Sequence, residues 1–179
     1  MIIGLSGYAQ TGKDTIASYL IENYGFTRVS FADPIREALY RLNPKITVAD
    51  MRSVSLASAV DGLGWDNVKV ESEDARKLLQ RMGTEVGREI FGENFWVDQA
   101  MQKASEHDKV VFTDVRYPNE LAAILGASGA VWRVIKNGVE AVNRHPSETA
   151  LDDHVFDYII FNNDTKESLY ESVDDFMSN

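Results

Sequence analysis

The chain has 179 residues, of which 44% are hydrophobic, enough to build one well-packed α/β domain. Its formal net charge of −10 disfavours broad attraction to nucleic acid or to anionic lipid, so we expect neither as a partner. The chain contains no cysteine, which excludes disulfides, thiolate zinc sites and a cysteine nucleophile. No apolar run approaches the roughly 18 residues of a membrane span, and we expect a cytoplasmic protein.

Apolar periodicity predicts alternating strands and helices in the first part of the chain. We expect a strand near 2–6, a helix over 13–23, a short strand near 27–31 and a helix over 34–42, entered at Asp33-Pro34. Residues 43–70 change character, with Pro44, many small residues and an Asp61-Gly62-Leu63-Gly64 turn. This composition predicts a mobile insertion or cap outside the core, which covers a ligand.

The remainder of the chain returns to regular patterns. Ser72 can cap a helix over 72–83, and shorter helices should follow near 84–91 and 94–105. The second half predicts strands at 110–113, 131–135 and 158–161 and helices at 117–126 and 166–177. The sequence therefore indicates a single α/β domain with a five-stranded parallel sheet, and an irregular, lid-like loop over 136–150 that contains Arg144-His145-Pro146.

A glycine-rich motif, Gly7-Tyr8-Ala9-Gln10-Thr11-Gly12-Lys13, joins the first predicted strand to the first predicted helix. Two glycines five positions apart allow consecutive backbone N–H groups to point at phosphate oxygens, and the helix N-terminus adds partial positive charge. Lys13 can then reach the β and γ phosphates of a nucleoside triphosphate. The alternative is a glycine-rich structural turn, but the position between strand and helix favours the phosphate loop.

Asp14 occupies the position at which such loops usually carry the Ser or Thr that binds magnesium, and a hydroxyl follows at Thr15. The Asp14 carboxylate can hold Mg²⁺ directly or through water, because this ion prefers oxygen ligands. Alternatively, Asp14 only complements the dipole of the first helical turn. Both interpretations stay open at the level of sequence.

Asp114 follows the buried strand 110–113, at the carboxyl end where open α/β sheets bind ligands. We expect Asp114 to position magnesium or an acceptor, and Arg116 to bind phosphate oxygens in a bidentate manner. The alternative is a surface ion pair that contributes at most ~1 kcal/mol. Phosphoryl transfer needs little more than lysine, arginine and magnesium, so these residues predict a small-molecule phosphotransferase.

Other residues are individually less specific. Arg36 opposes the dipole of its own helix, which favours a ligand role over a structural one. Trp96 is either part of the core or a ring that stacks on a base. We interpret His145 as a loop histidine, because the three histidines are too far apart in sequence for metal-ligand spacing.

Several motifs together resemble the bacteriophage deoxynucleoside monophosphate kinases, nearly from end to end. The most specific are Gly12-Lys13-Asp14-Thr15, Asp114-Val115-Arg116-Tyr117-Pro118-Asn119-Glu120 and the segment Leu78-Leu79-Gln80-Arg81-Met82-Gly83-Thr84. The resemblance implies a P-loop kinase fold of three layers, α/β/α, with helical acceptor-binding and lid insertions. It also implies Mg²⁺-dependent transfer from ATP to a deoxynucleoside monophosphate (dNMP). The match is weak over 43–70, which leaves the choice of acceptor base open.

The resemblance further implies a role for each site residue. ATP phosphates are assigned to Gly7, Gln10, Thr11, Gly12, Lys13, Asp14, Thr15 and Arg76. The acceptor is assigned to Ile35, Arg36, Gly83, Thr84, Trp96, Asp114, Arg116 and Glu120. Lys13, Asp114 and Arg116 are the expected catalytic residues, and Asp14 and Asp114 the expected magnesium ligands. Two rival hypotheses remain. One is a kinase of another small acceptor, such as dephospho-coenzyme A or a sugar acid, and the other is a nucleotide-binding regulator without turnover. The sequence also leaves open whether the protein forms a homodimer.

Overall fold

A computed structural model describes residues 1–141, 149–156 and 158–178 of the chain. The strands are β1 (Ile2–Ser6), β2 (Thr27–Val29), β3 (Lys45–Thr47), β4 (Ser53–Ser55), β5 (Val110–Phe112), β6 (Ala130–Ile135) and β7 (Tyr158–Phe161). The α-helices are α1 (Lys13–Tyr24), α2 (Asp33–Leu42), α3 (Leu56–Glu71), α4 (Glu73–Arg81), α5 (Phe95–Ala104), α6 (Pro118–Gly126) and α7 (Lys166–Ser178), and a π-helix, π1, spans Met82–Phe91. The centre of the predicted 136–150 lid, with His145, lies outside the described residues.

A five-stranded sheet in the order β2-β5-β1-β6-β7 confirms the predicted parallel sheet. Its central strand β1 pairs in parallel with β5 and β6, so that Ile3 lies beside both Val111 and Ala130. The predicted strands near 27–31 and at 110–113 end earlier, at Val29 and Phe112. Because all strands run the same way, the loops that follow β1, β2, β5 and β6 leave from the same edge of the sheet.

Helices cover both faces of this sheet. On one face, α1 and α7 enclose a core with the inward residues of the strands, which includes Ile3, Leu5, Ile16, Leu20, Val111, Trp132, Leu169 and Val173. On the other face α6 lies so close that a Cβ added to Gly4 would be 2.6 Å from Ile124 Cδ1. The predicted three-layer α/β/α arrangement is therefore confirmed.

The chain forms two compact units, unit 1 (Met1–Phe31 with Met101–Asn179) and unit 2 (Ala32–Ala100). Unit 1 contains the parallel sheet. Unit 2 contains the antiparallel β3–β4 hairpin and the helices from α2 to α4, with π1 following directly. The single-domain assignment stays a prediction.

The expectation that residues 43–70 lie outside the core is wrong. Ile46, Leu56 and Val68 are each at most 1% exposed and pack with Leu39 and Ala75 in the core of unit 2. The small residues that suggested an irregular segment form β4 and the start of α3, where the side chain of Ser55, the N-cap, accepts a hydrogen bond from the Ser58 N–H at 3.3 Å. The predicted turn survives only as a kink at Gly64, whose φ of 75° interrupts α3.

The predicted start of the helix after Ser72 agrees with the structure. The Ser72 hydroxyl caps α4 by accepting a hydrogen bond from the Ala75 N–H at 3.2 Å, as its position before two acidic residues indicated. Within the described ranges, none of the helices is both long and apolar enough to cross a bilayer.

A tyrosine cluster joins the two helices that cover the sheet. The Asp174 carboxylate on α7 accepts hydrogen bonds from Tyr19 (2.9 Å) and Tyr24 (2.7 Å) on α1, and the rings of Tyr19 and Tyr170 stack at 4.0 Å. The hydrogen bond to Asp174 raises the pKa of Tyr24 from 10.0 to about 12, and that of Tyr19 shifts in the same direction. A tyrosinate would lose the donated hydrogen bond and repel the carboxylate.

We therefore expect an alkaline destabilisation that depends on Asp174. Because the folded-state pKa of Tyr24 lies above its ordinary value, its contribution is complete below pH 10 and is lost as the pH rises from about 10 to about 12. Asp174→Asn should flatten the fall of Tm with pH in this window, measured by circular dichroism. An unchanged alkaline slope in the variant would contradict the assignment.

Candidate nucleotide-binding site

The glycine-rich motif forms a tight loop between β1 and α1, so the predicted strand–loop–helix setting is confirmed. Gly7 and Gly12 have positive φ angles of 144° and 105°. A Cβ would lie 2.4 Å from the Val134 carbonyl oxygen at Gly7 and 2.4 Å from Asn162 Nδ2 at Gly12. Both positions therefore require glycine for conformation and for space.

Hydrogen bonds to its own carbonyl groups hold this loop together. The ammonium of Lys13 donates to the carbonyl oxygens of Gly7 at 2.7 Å and Tyr8 at 2.5 Å. The buried Thr11 hydroxyl also donates to Tyr8, and Asn162 Nδ2 donates to the Thr11 carbonyl at 2.9 Å. The lysine charge thus lies over the loop at the N-terminus of α1, where the helix dipole adds to its attraction for an anion.

The residues that follow Lys13 lie in the first turn of α1. Asp14 is exposed and Thr15 is half-buried. An exposed carboxylate at this position suits both interpretations, complementing the helix dipole and binding a hydrated cation. Gln10, at the tip of the loop, is exposed and has a φ of 65°.

Asp114 ties together the carboxyl ends of two neighbouring strands. Its Oδ2 accepts a hydrogen bond from the Ser30 hydroxyl at 2.5 Å, and its Oδ1 accepts one from the Phe31 N–H at 2.9 Å. Ser30 and Phe31 follow β2, and Asp114 follows β5, which lies between β2 and β1. The half-buried carboxylate is thereby fixed at the sheet edge where the sequence placed it.

Arg116 and Glu120 differ in exposure and in contacts. The Arg116 side chain is exposed, as a phosphate ligand must be before binding. Glu120 is only 5% exposed, and its Oε2 accepts hydrogen bonds from the N–H groups of Arg116 (2.7 Å) and Tyr117 (3.0 Å). These contacts are those of a capping residue at the start of α6. Glu120 therefore shapes the backbone that carries Arg116, and its direct role in acceptor binding stays a prediction.

Magnesium fits the donor set at the level of chemistry. Among residues 1–141, 149–156 and 158–178, there is no group of three or more His, Asp or Glu side chains that could hold a metal ion by themselves. Mg²⁺ bound with a nucleotide keeps several waters and needs only one or two carboxylates. Asp14 offers an exposed carboxylate in the first turn of α1, and Asp114 offers a half-buried one at the carboxyl ends of the strands.

Three residues expected to bind the acceptor lie together in unit 2. Ile35 is on α2, and a Cβ added to Gly83 on π1 would be 3.3 Å from Ile35 Cδ1. The Trp96 indole N–H donates to the Gly83 carbonyl at 3.0 Å. Arg36 is half-buried near Asp33, with 3.5 Å between Nη1 and Oδ1. Thr84 is exposed on π1, and Arg76 is exposed on α4.

Trp96 is only 9% exposed, as the core interpretation expects, and its role in acceptor binding stays a prediction. Its ring lies against Gly87, and its indole N–H donates a hydrogen bond to the Gly83 carbonyl oxygen in π1. A side chain that bonds into a helix in this way is a recognised cause of helix distortion. The two helices predicted over 72–83 and 84–91 are accordingly one run, in which α4 passes directly into the wider π1.

Gly87→Ala should be strongly destabilising, because the new Cβ would lie 1.8 Å from Trp96 Nε1. We expect the free energy of unfolding to fall by about 1–3 kcal/mol. Gly62→Ala in α3 is the matched control, since its added Cβ meets no atom within 4 Å apart from the nearby backbone of its own helix and its chain neighbours. This substitution should raise the free energy of unfolding by about 0.4–1 kcal/mol. Urea unfolding followed by tryptophan fluorescence measures both, and equal effects would contradict the Trp96 contact.

Sequence reasoning missed two residues that form hydrogen bonds with the loop and with the strand that precedes it. Asn162, which follows β7, binds the Thr11 carbonyl, and Arg133 in β6 donates to Ser6 Oγ at 3.2 Å. The only signal for Arg133 was a single charge inside the apolar strand Ala130–Ile135. Such a charge usually faces solvent, and only the pairing of Arg133 with Ser6 reveals its place.

The fold and the loop together define a class of protein. A parallel sheet with β1 at its centre, followed by a glycine loop and a lysine at a helix N-terminus, is the architecture of the P-loop nucleotide-binding proteins. The family model described as deoxynucleotide monophosphate kinase matches the chain over residues 1–75 and 67–173. The chain belongs to the deoxynucleotide monophosphate kinase family, which confirms the resemblance inferred from its motifs.

Individual relatives are viral. A protein of Acanthamoeba polyphaga mimivirus, named as a candidate deoxynucleotide monophosphate kinase, is 31% identical over 97% of this chain and 94% of its own length. The deoxynucleotide monophosphate kinase of Escherichia phage RB69 is 23% identical over 97% of this chain and 98% of its own. Among solved structures, shikimate kinase from Aquifex aeolicus covers 99% of this chain and 95% of its own, with 13% identity and a TM-score of 0.46.

Proposed function

We propose that this protein is a deoxynucleoside monophosphate kinase that transfers the γ-phosphoryl group of ATP to a dNMP. An oxygen of the acceptor phosphate attacks the γ-phosphorus, the bond to the β,γ-bridging oxygen breaks, and dNDP and ADP form. The observation that carries the proposal is the Lys13 ammonium, held over a two-glycine loop in a chain of this family.

The donor roles fall on unit 1. Backbone amides of the loop from Gly7 to Gly12 would bind the ATP phosphates, with Lys13 offsetting the charge on the transferred group and Thr15 beside it. Arg116 would bind phosphate oxygens through its guanidinium fork. Mg²⁺, held through Asp14 and Asp114, would supply further neutralisation of phosphate charge.

The acceptor roles fall mainly on unit 2. Ile35, Gly83 and Trp96 form one contact group, and Arg36 and Thr84 add polar atoms on the same elements. Apolar surface with a few polar groups is what a nucleoside monophosphate requires. Arg76 is proposed to assist the donor phosphates. We also propose a cytoplasmic location, with which the absence of cysteine is compatible.

Release of ADP, coupled to a spectrophotometric assay, tests the proposal. The purified chain with Mg²⁺ and ATP should consume ATP with at least one of dAMP, dCMP, dGMP and dTMP, and mass spectrometry should identify the matching diphosphate. Dephospho-coenzyme A and shikimate serve as control acceptors. Failure of every dNMP would refute the proposal, turnover of a control acceptor would favour the rival kinase, and ATP binding without product would favour a regulator.

A further inference from the structure

Arg133 is a largely buried cation beside the phosphate loop. It lies in β6 opposite Ser6, the last residue of β1, and only 12% of its side chain is exposed. Its Nη1 donates to Ser6 Oγ at 3.2 Å, and its Nη2 donates to Asp152 Oδ1 at 2.8 Å. A guanidinium with its donors engaged on two sides is fixed in orientation, and a carboxylate partner offsets the desolvation of its charge.

Aromatic rings complete the surroundings of this guanidinium. Its central carbon lies 5.0 Å from the centroid of the Tyr8 ring and 5.6 Å from that of Phe156. Both distances are within the range of cation–π attraction. Burial, and next the neighbouring Asp152, raise the pKa of the Tyr8 hydroxyl, so Tyr8 stays protonated at neutral pH. Tyr8, Arg133, Asp152 and Phe156 therefore form one cluster, called here the Arg133 cluster.

Tyr8 connects the Arg133 cluster to the lysine of the loop. The Tyr8 carbonyl oxygen accepts hydrogen bonds from Lys13 Nζ at 2.5 Å and from Thr11 Oγ1 at 3.0 Å. Ring and carbonyl belong to the same residue, so a contact that restrains the Tyr8 ring also restrains the conformational freedom of an acceptor of the lysine. Arg133 and the Lys13 ammonium are thus linked through a single residue, Tyr8.

The Arg133 cluster also includes a part of the chain distant in sequence from the loop. Asp152 and Phe156 follow the 136–150 segment, whereas Tyr8 belongs to the loop itself. Arg133 contacts all three of these residues. It therefore anchors the chain that follows the 136–150 segment to the loop that carries Lys13.

We propose that Arg133 is a positioning residue of the phosphate loop, which holds Tyr8 and thereby Lys13, and which anchors residues 151–156 to the loop. The proposal rests on the proposed function only in taking ATP as the ligand of the loop. It assigns to Arg133 no contact with the reacting atoms. Replacement of Arg133 should therefore weaken the affinity for ATP and leave the affinity for the dNMP unchanged.

Arg133→Gln tests this assignment. We expect the dissociation constant of a non-hydrolysable ATP analogue, measured by calorimetry, to rise about tenfold, as loss of a cation–π contact and a charged hydrogen bond can produce. The KM for ATP should rise with it, while the KM for the dNMP stays the same. Arg133→Lys, which keeps the charge, should recover part of the affinity. Lys109→Gln is the matched control, since Lys109 also lies over a ring, that of Phe26 at 5.9 Å, and should leave affinity unchanged.

A purely structural role would lower the active fraction, and hence kcat, without changing either KM, and that pattern would overturn the proposal. If Arg133→Gln does not fold, Tyr8→Leu decides, because it removes the ring and leaves the Ser6 and Asp152 partners of Arg133. Wild-type affinity for the ATP analogue in a folded Tyr8→Leu variant would overturn the proposal. Analogue binding by a wild-type protein that phosphorylates no dNMP would refute the proposed function and leave this test intact.

Discussion

Lys13→Ala should lower kcat about 10³-fold, because it removes the cation that we propose offsets the charge on the transferred phosphoryl group. The Lys13 ammonium lies 2.7 Å from the Gly7 and 2.5 Å from the Tyr8 carbonyl oxygen, so it is already positioned over the loop. A group oriented before the reaction stabilises developing charge without reorganisation, and its loss falls mainly on turnover. The fold should persist, because both carbonyl groups belong to half-buried residues that water can reach.

The measurement is kcat at saturating ATP and dNMP, together with Tm. Lys109→Gln again provides the control, since Lys109 also donates to a carbonyl oxygen, that of Tyr24 at 3.0 Å, but lies before β5, away from the loop edge. The control should turn over at the wild-type rate. Wild-type kcat in Lys13→Ala would refute both the phosphate-loop role and the proposed function.

Asp114→Asn should lower kcat about 10²-fold, because it removes a negative charge at the sheet edge while keeping the shape of the side chain. The two carboxylate oxygens accept hydrogen bonds from Ser30 and Phe31, and the amide can replace only one of these acceptors. We therefore expect a modest loss of stability, about 1–2 kcal/mol. The dependence of kcat on magnesium concentration should shift to higher concentration if Asp114 holds the ion.

Ser30→Ala tests whether Asp114 acts through its negative charge or only through the hydrogen bonds that hold it in position. It removes the 2.5 Å hydrogen bond to Oδ2 and leaves the carboxylate and its hydrogen bond from the Phe31 N–H in place. Turnover should therefore fall much less than in Asp114→Asn. Equal losses in the two variants would mean that Asp114 acts only by joining the ends of β2 and β5.

The parts of the fold that the sequence predicted are those with strong local signals. Strands buried on both faces are continuous apolar runs, as in Val110-Val111-Phe112, and the glycine loop marks the junction of strand and helix. Ser72 followed by two acidic residues marks a helix start. Strand order has no such local signal, because it depends on pairing between segments far apart in the chain.

Residues 43–70 show why the remaining structure was not predictable. The strands of the β3–β4 hairpin have only three residues each, too few to establish an alternating pattern. Gly62 and Gly64 suggest a turn, although α3 continues through both with a kink at Gly64. The apolar residues Ile46 and Leu56 become core only through contacts made in three dimensions.

The arrangement of the two units has a consequence for synthesis on the ribosome. Unit 2 is one continuous stretch, Ala32–Ala100, whereas the central strand of unit 1 is made first and pairs with strands that emerge much later, residue 2 with residue 110 and residue 3 with residue 130. The nascent chain can therefore complete unit 2 while β1 still lacks both neighbours. The glycine-rich loop can make its contacts with Val134 and Asn162 only after nearly the whole polypeptide has been made.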